Sequence, residues 1–223
     1  MKKFLISAVL IAIGCISVPA QNRILNNPDN KPYFGLRIGA DISCPGKLSA
    51  DNLALDIFKC GPGIEFGGVF NVPVVANFYI EPGLKLFYDT YSFKEGFIDW
   101  LFPGNTIFGV SERKFGMRIP VMLGYHFDFT KDVKVSIFTG PELEIGFIAK
   151  ECATDNNMEV SADLYGGNGS LNRVNFLWGF GAGVSYQHVY FGVHGGIGTL
   201  KMLKNSYANF HESRVSFNLG YNF

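Results

Sequence analysis

The sequence predicts an all-β fold, an eight-stranded antiparallel up-and-down barrel that crosses a membrane, and three observations lead to that prediction. The chain begins with a pattern typical of exported proteins, polar and apolar residues alternate in eight separate stretches, and long connections alternate with short ones. Such connections are typical of an up-and-down barrel with both termini at one end. An even strand count closes the sheet, so that no backbone edge faces hydrocarbon.

The export pattern occupies the first 20 residues. Lys2 and Lys3 precede the apolar run Phe4–Gly14, and Val18–Ala20 supplies small residues for a cleavage site. The alternative is a lipoprotein signal acylated at Cys15, which fits less well because the residues after Cys15 stay apolar instead of forming a polar tether. We therefore predict three regions: a signal peptide over residues 1–20, a periplasmic segment over 21–32 and an outer-membrane barrel over 33–223.

Composition agrees with a membrane barrel. Charged residues make up 17% of the chain, below the roughly 25% of ordinary globular proteins, while aromatic residues make up 15% and glycines number 27. No later apolar run reaches the roughly 20 residues that a transmembrane helix needs. The formal net charge of zero gives no reason to expect a nucleic-acid partner.

Each alternating stretch is long enough to cross a membrane as a tilted strand, which takes roughly 9 to 11 residues. In the last one, a period of two puts Val215, Phe217, Leu219, Tyr221 and Phe223 on one face. A soluble lipocalin-like barrel would show the same alternation with its apolar face inside. We favour the membrane barrel because the apolar face is nearly free of charge in every stretch. The eight predicted strands are Tyr33–Ser43, Gly63–Val72, Phe78–Phe93, Lys114–Phe129, Val133–Ala149, Arg173–Gln187, Val189–Lys201 and Glu212–Phe223.

Aromatic residues gather where the short connections are expected, which is typical of the girdle at a membrane interface. The residues concerned include Tyr33, Phe34, Phe70, Phe78, Tyr79, Tyr125, Phe127, Phe129, Tyr186, Tyr190, Phe191, Tyr221 and Phe223.

The opposite face of the strands carries charges that would point into the barrel. Eight strands enclose a space that side chains alone can fill, and a buried charge is tolerated far better when it is paired. We therefore predict an ion-pair network that closes the interior, with a narrow gated pore as the alternative. The predicted network consists of Arg37, Asp41, Glu65, Glu81, Lys85, Arg118, Lys134, Glu142, Glu144, Arg173 and Arg214, with Asp89, His126 and His194 on the same face.

Catalytic patterns are scarce. The four histidines, His126, His188, His194 and His211, are not accompanied by a GxSxG stretch, an HExxH motif or paired-cysteine zinc spacing. We expect no enzyme activity, no cofactor and no metal site, although a lipid-modifying enzyme remains an alternative. Three cysteines follow the signal, and spacing favours a disulfide between Cys44 and Cys60 over the two pairings with Cys152, since these two residues bracket the first long connection.

Three short motifs carry a family resemblance. Tyr79–Leu84 (YIEPGL), Arg118–Tyr125 (RIPVMLGY) and Gly140–Leu143 (GPEL) resemble strands three, four and five of the PorT-like outer-membrane β-barrel proteins of Bacteroidetes. With the terminal aromatic strand, the resemblance spans essentially the whole chain after the signal. It implies a barrel in the outer membrane of a bacterium. The founding member of that family is linked to protein secretion and gingipain export.

Two functional classes follow from these predictions. In the first, the barrel is a non-enzymatic structural or interaction component that works through its surface loops or rim, and the family resemblance implies that it is associated with secretion. In the second, it is a small pore or a lipid-modifying enzyme. Expected partners are outer-membrane lipid, the barrel-assembly machinery through the C-terminal strand, and a protein or surface ligand that the sequence does not identify.

Overall fold

The computed structural model describes residues 31–50, 53–101, 107–130, 132–155, 158–167, 169–204 and 207–223. The predicted signal peptide and most of the predicted segment 21–32 lie outside the described residues. In chain order the elements are β1 (Tyr33–Pro45), β2 (Leu48–Ala50), β3 (Leu53–Leu55), β4 (Phe58–Lys59), β5 (Gly61–Val75), β6 (Phe78–Phe93), α1 (Glu95–Leu101), β7 (Ile107–Asp128), β8 (Val133–Asp155), β9 (Met158–Asp163), β10 (Val174–Tyr186), β11 (Val189–Gly198), β12 (Ala208–Asn209) and β13 (Glu212–Asn222).

Eight of these strands close into one antiparallel barrel, which confirms the predicted fold class. Their order around the wall is β1, β5, β6, β7, β8, β10, β11 and β13, and the circle closes because β13 pairs with β1. Within the described residues no helix has the length and apolarity that spanning a membrane takes.

The two ends of the barrel differ. The tight connections Ala76–Asn77, Phe129–Asp132 and Gln187–His188 lie at the end that also holds the beginning of β1 and the end of β13, and we call it the turn end. Ala76 and Gln187 adopt the left-handed backbone conformation, with φ of 49° and 51°, that two-residue hairpins need. The longer connections lie at the opposite end, which we call the loop end.

Two strands, β7 and β8, extend well past their predicted limits at the loop end. The alternation predicts β7 from Lys114 and β8 to Ala149, whereas β7 starts at Ile107 and β8 continues to Asp155. These extra residues pair with each other, and β9 adds a further strand along β8. The sheet therefore extends past the barrel at the loop end, where the sequence lacks the regular alternation of apolar and polar residues.

The outer wall of the barrel is apolar. Side chains on the outward face include Ile38 and Ile64, which are 60% and 63% exposed, and the last strand presents Val215, Phe217 and Leu219 in the same way. The inward face carries most of the buried charged side chains. This is the opposite of a soluble barrel, and it is the arrangement that a lipid environment requires. In the predicted aromatic girdle, Tyr79 and Tyr190 are exceptions, because both rings lie inside the barrel.

An apolar cluster, which we call the cap, covers the loop end of the interior. Phe58 lies at its centre, with ring centroids 4.7 Å from Phe210, 5.1 Å from Phe93 and 5.9 Å from Tyr91. The cap combines residues from several loop-end connections with the tops of the strands. Its buried members are Ile57, Phe58, Tyr91, Ala149, Leu164, Tyr165, Leu171, Met202 and Phe210.

Candidate functional site

Arg118 on β7 lies at the centre of the interior and is completely buried. Its Nη1 is 2.8 Å from Oδ2 of Asp41 and 3.1 Å from Oε2 of Glu65, and its Nε is 3.0 Å from Oε2 of Glu144. Nη2 contacts Asp89 as well. One guanidinium thus meets four carboxylates that come from β1, β5, β6 and β8. The guanidinium carbon of Arg118 also lies 4.1 Å from the centre of the Phe87 ring, and the two groups form a cation–π contact.

Arg214 on β13 forms the second centre of the network. Its Nη2 is 2.6 Å from each carboxylate oxygen of Glu142, and its Nε donates to the same carboxylate at 3.1 Å. Its Nη1 is 3.4 Å from Glu65, which also accepts from Lys85 at 2.7 Å. Glu65 therefore links three basic side chains. Charge-assisted hydrogen bonds of this kind offset the cost of removing the charges from water.

A third group lies just below the cap. Lys114 contacts Glu212 and lies 3.6 Å from Glu144, so it connects this group to the carboxylates around Arg118. Ser43 donates to Glu212 at 2.7 Å, and the Tyr91 hydroxyl donates to Glu112. These hydroxyl donors matter because, among the described residues, the buried charges comprise five basic and seven acidic side chains.

Towards the turn end, Arg37 is buried without a carboxylate within ion-pair distance among the described residues. Its guanidinium lies 4.1 Å from the centre of the Tyr190 ring and donates to the Leu36 carbonyl at 3.1 Å. Glycine is needed opposite it at position 220, because a Cβ there would lie 2.5 Å from the Leu36 carbonyl oxygen as well as 2.5 Å from Arg37 Nη1. Beside it is a cavity of about 30 Å³, lined by Arg37, Glu81, Lys85, Tyr190, His194 and Asn218 among others.

Four of the eleven predicted network residues lie outside the ion-pair network. Arg37 is buried as described above, and Glu81 and Lys134 are half-buried near the turn end, where Glu81 accepts from Asn71 at 3.1 Å.

The prediction for Arg173 is wrong: its side chain is exposed. β10 begins at Val174, one residue later than predicted, so Arg173 does not follow the inward and outward alternation of that strand. Its guanidinium donates instead to the carbonyls of Phe147 and Tyr165. The other seven predicted residues, Asp41, Glu65, Lys85, Arg118, Glu142, Glu144 and Arg214, come together in the barrel interior.

Three buried charged residues, Lys114, Glu112 and Glu212, lie outside the set that the sequence predicts. Counting in steps of two from Arg118 towards the loop end places Lys114 and Glu112 on the inward face, and the same step from Arg214 places Glu212 there. This pattern is present in the sequence, but it is weak because the three residues lie at or just beyond the ends of predicted strands, where apolar residues no longer alternate with polar ones.

A disulfide joins Cys44 in β1 to Cys60, just before β5. It closes the first loop-end connection, which carries the cap residues Ile57 and Phe58. Cys152 is buried in β8 and takes no part in this bond. Asp56 in this connection accepts a hydrogen bond at 2.7 Å from Lys94, which follows β6, and this bond lowers the pKa of the exposed Asp56 carboxyl.

His126 and His194 are buried in the barrel, whereas His188 and His211 are exposed. His126 stacks on Tyr79 with centroids 4.1 Å apart, His194 lies edge-on to Phe138 at 5.8 Å, and His188 Nδ1 is 2.7 Å from the Asn222 carbonyl. The described ranges contain no cluster of three or more histidine, cysteine or acidic residues that could hold a metal ion.

An apolar outer wall around a charged interior defines the class: this is a transmembrane β-barrel protein. The family comparison agrees, since the family model described as "Outer membrane protein beta-barrel domain" matches residues 20–198. The chain belongs to this family and is an outer-membrane β-barrel protein. A search of curated proteins finds no match.

Among solved structures, three barrels illustrate the similarity. OprG from Pseudomonas aeruginosa is 12% identical, with 86% of this chain and 95% of OprG covered and a TM-score of 0.48. Neisserial surface protein A is 13% identical, with 87% and 100% covered and a TM-score of 0.44. Ail, the attachment invasion locus protein of Yersinia pestis, is 10% identical, with 87% and 100% covered and a TM-score of 0.44.

Proposed function

We propose that this protein is a non-enzymatic outer-membrane barrel with a closed interior, and that it acts as a structural or interaction component through its loop-end surface. The observation that supports this proposal is the double blockage of the interior. The ion pairs around Arg118 fill the middle, and the cap around Phe58 covers the loop end. The cavity of about 30 Å³ has room for one or two water molecules, not for a passing solute.

The proposed orientation places the turn end in the periplasm and the loop end outside the cell. Tight turns on the periplasmic side and longer loops on the outside are the rule in bacterial outer-membrane barrels. The terminal aromatic residue, Phe223, is 64% exposed at the turn end, where it would be accessible to the barrel-assembly machinery. Cleavage of the signal peptide after residue 20 belongs to the same proposal.

We also propose that the chain belongs to the PorT-like branch of its family. The support is the three motifs in β6, β7 and β8, of which Glu81–Gly83, Ile119–Pro120 and Gly140–Pro141 form the centres. A secretion-associated role would follow from that branch, with the loop-end surface or the rim as the contact region.

Conductance tests the closed interior. Purified protein in planar bilayers should give little or no steady current, because the ion pairs around Arg118 occupy the middle of the barrel interior. Large, stable, ion-selective steps would contradict the proposal and support the gated pore. Release of acyl chains from lipid vesicles by the same preparation would contradict its non-enzymatic part.

Photo-crosslinking tests the interaction surface. Val160 on β9 is 64% exposed at the loop end, and Gln187 is exposed at the turn end. A photoreactive amino acid at position 160 should give a discrete adduct in intact cells, whereas the same group at position 187 reports contacts of the turn end. Discrete adducts at position 187 alone would assign the interaction surface to the turn end and contradict the proposed loop-end surface. The absence of adducts at both positions would contradict an interaction role.

A further inference from the structure

Arg37 differs from the other buried basic side chains because part of its guanidinium is unused. Nη1 donates to the Leu36 carbonyl and the guanidinium lies on the Tyr190 ring, but Nη2 has no hydrogen-bond acceptor among the described residues. A buried charge without a paired group of opposite sign is costly. The other four buried basic residues each contact at least one carboxylate: Lys85, Lys114, Arg118 and Arg214.

A second unused donor belongs to His194. Its Nδ1 is 3.5 Å from Nη2 of Arg214. Because a guanidinium offers no acceptor, Nδ1 must accept in this contact, and the ring hydrogen is then on Nε2. Within the described part of the chain, Nε2 is buried without a partner. His194 and Arg37 both line the cavity of about 30 Å³, so two side chains with an unused N–H border the same small space.

The charges around this cavity favour an anion. Arg37 and Lys85 are its basic lining residues, and Glu81 is its acidic one. Lys85 is paired with Glu65 at 2.7 Å, whereas Glu81 accepts from Asn71 at 3.1 Å and forms no ion pair with Arg37 among the described residues. Arg37 is 3% exposed, while Glu81 is half-buried and its charge is better screened by water. Glu81 therefore opposes an anion beside Arg37 without replacing it.

The size of the cavity limits what can bind there. One water molecule takes roughly 10 to 15 Å³ of such space, so a monatomic anion fits, whereas sulfate and organic acids are too large. Towards the loop end, the ion pairs around Arg118 and Arg214 fill the interior. Access is from the turn end, where the lining residues Tyr190 and Glu81 are half-buried.

We propose that Arg37 and His194 form a binding site for a single chloride ion inside the barrel. Arg37 Nη2 and His194 Nε2 donate to the ion, which supplies the negative charge that a water molecule lacks. The bound ion compensates the Arg37 charge and holds the guanidinium against Tyr190. Because the ion pairs close the interior beyond it, the site binds chloride without conducting it.

Bromide locates the ion directly, since it substitutes for chloride and scatters X-rays anomalously. Crystals of the full chain grown in sodium bromide should show an anomalous difference peak beside Arg37 and His194. A water molecule in this cavity gives no such peak. Ordered density without an anomalous peak would overturn the proposal and assign the cavity to water.

Unfolding measures the affinity in solution. The full chain is folded into phosphatidylcholine vesicles and unfolded with urea in roughly 0.5 M sodium chloride, or in sodium gluconate at equal ionic strength, because gluconate is too large for the cavity. The equilibrium constant of unfolding should be roughly tenfold lower in chloride, as expected for a Kd of about 55 mM. Equal constants in the two salts would contradict the proposal, and a bromide peak without a chloride effect would mean an adventitious ion only.

Variants assign the chloride effect to the cavity. The effect is a ratio between two salts within one variant, so a general loss of stability cancels. Arg37→Met should abolish it. Glu81→Gln should strengthen chloride binding roughly threefold, because a negative charge near the ion is removed. If Arg37→Met does not fold, His194→Phe keeps the proposal testable, since loss of one donor should weaken chloride binding roughly fivefold.

The matched control is Lys47→Met. Lys47 is exposed after β1, and its replacement removes one positive charge, as Arg37→Met does. It should keep the wild-type chloride effect. An equal loss in Lys47→Met would indicate general screening of charge, and an unchanged effect in folded Arg37→Met or His194→Phe would exclude this site. A heat-dependent shift in gel mobility verifies that each variant is folded.

Discussion

Arg118 Nη1 lies 2.8 Å from Oδ2 of Asp41, and this ion pair crosses the barrel from β7 to β1. Two strands, β5 and β6, separate these two along the wall, so the contact runs through the interior and not along the sheet. Glu65 and Asp89 on the intervening strands bind the same guanidinium. The barrel is therefore held together across its centre as well as around its wall.

Arg118→Met should destabilise the barrel by roughly 3 to 5 kcal/mol, because it leaves buried carboxylates without their common cation. Urea unfolding in phospholipid vesicles measures the change. Lys201→Met is the matched control, since Lys201 is exposed at the loop end and its replacement should change the free energy of unfolding little. Equal effects of the two substitutions would show that Arg118 has no special role in stability.

Gly124→Ala should destabilise the barrel by about 1 to 3 kcal/mol through overpacking. The Tyr79 ring lies where the new methyl group would be, and stacking on His126 holds that ring in place. Gly109→Ala adds the same methyl group to β7 at a position with no atom within 4 Å of it, so its effect should be small. A Tyr79→Ala background should remove most of the cost at position 124, and an undiminished cost there would contradict this explanation.

Most of the barrel could be predicted because a membrane constrains every strand in the same way. Each outward residue meets lipid and each inward residue meets other side chains, so a period of two identifies both faces, as at Arg118 and Arg214. Where that constraint ends, the prediction weakens. Arg173 precedes the first paired residue of β10 and turns out of the barrel, and residues 107–113 form strand without any alternation that would reveal it.

The sequence predicts which charged residues face the barrel interior, but it does not predict which of them pair with each other. Alternation shows that Asp41 and Arg118 face inward, but the partner of each charge depends on the relative height of strands around the wall. That height follows from the strand register, which is fixed by backbone pairing over whole strands and not by any single residue. The cap was not predicted, because Phe58, Leu171 and Phe210 are isolated apolar residues in connections that show no period.

Mapping of non-reduced peptides should show Cys44 linked to Cys60, with Cys152 alkylated without prior reduction once the protein is unfolded. Replacing both linked cysteines with serine should cost up to about 3 kcal/mol in the chain-entropy model, since the bond closes a loop with a sequence separation of 16. The thermal midpoint of the double variant measures this cost. Free Cys44 and Cys60 in protein from its native envelope would contradict the bridge.

The cap covers the loop end of the interior, and the ion-pair network fills the middle below it, so the two block the barrel one after the other. Phe58→Ala removes the central ring of the cap, and truncating a buried phenylalanine costs about 3 to 5 kcal/mol. The loop-end connections should therefore become sensitive to protease, while the heat-dependent gel shift of the barrel persists. Leu53→Ala, at a position that is 58% exposed on β3, should leave protease resistance unchanged.

Conductance measurements distinguish the contribution of the cap from that of the ion-pair network. Phe58→Ala should still give no steady current in planar bilayers, because Lys114, Glu212 and the carboxylates around Arg118 continue to fill the space below. Current should appear only when the cap and the network are both weakened, for example by Phe58→Ala together with Arg118→Ala in protein that remains folded. Steady current from Phe58→Ala alone would mean that the cap is the gate and that the charged layer beneath it admits ions.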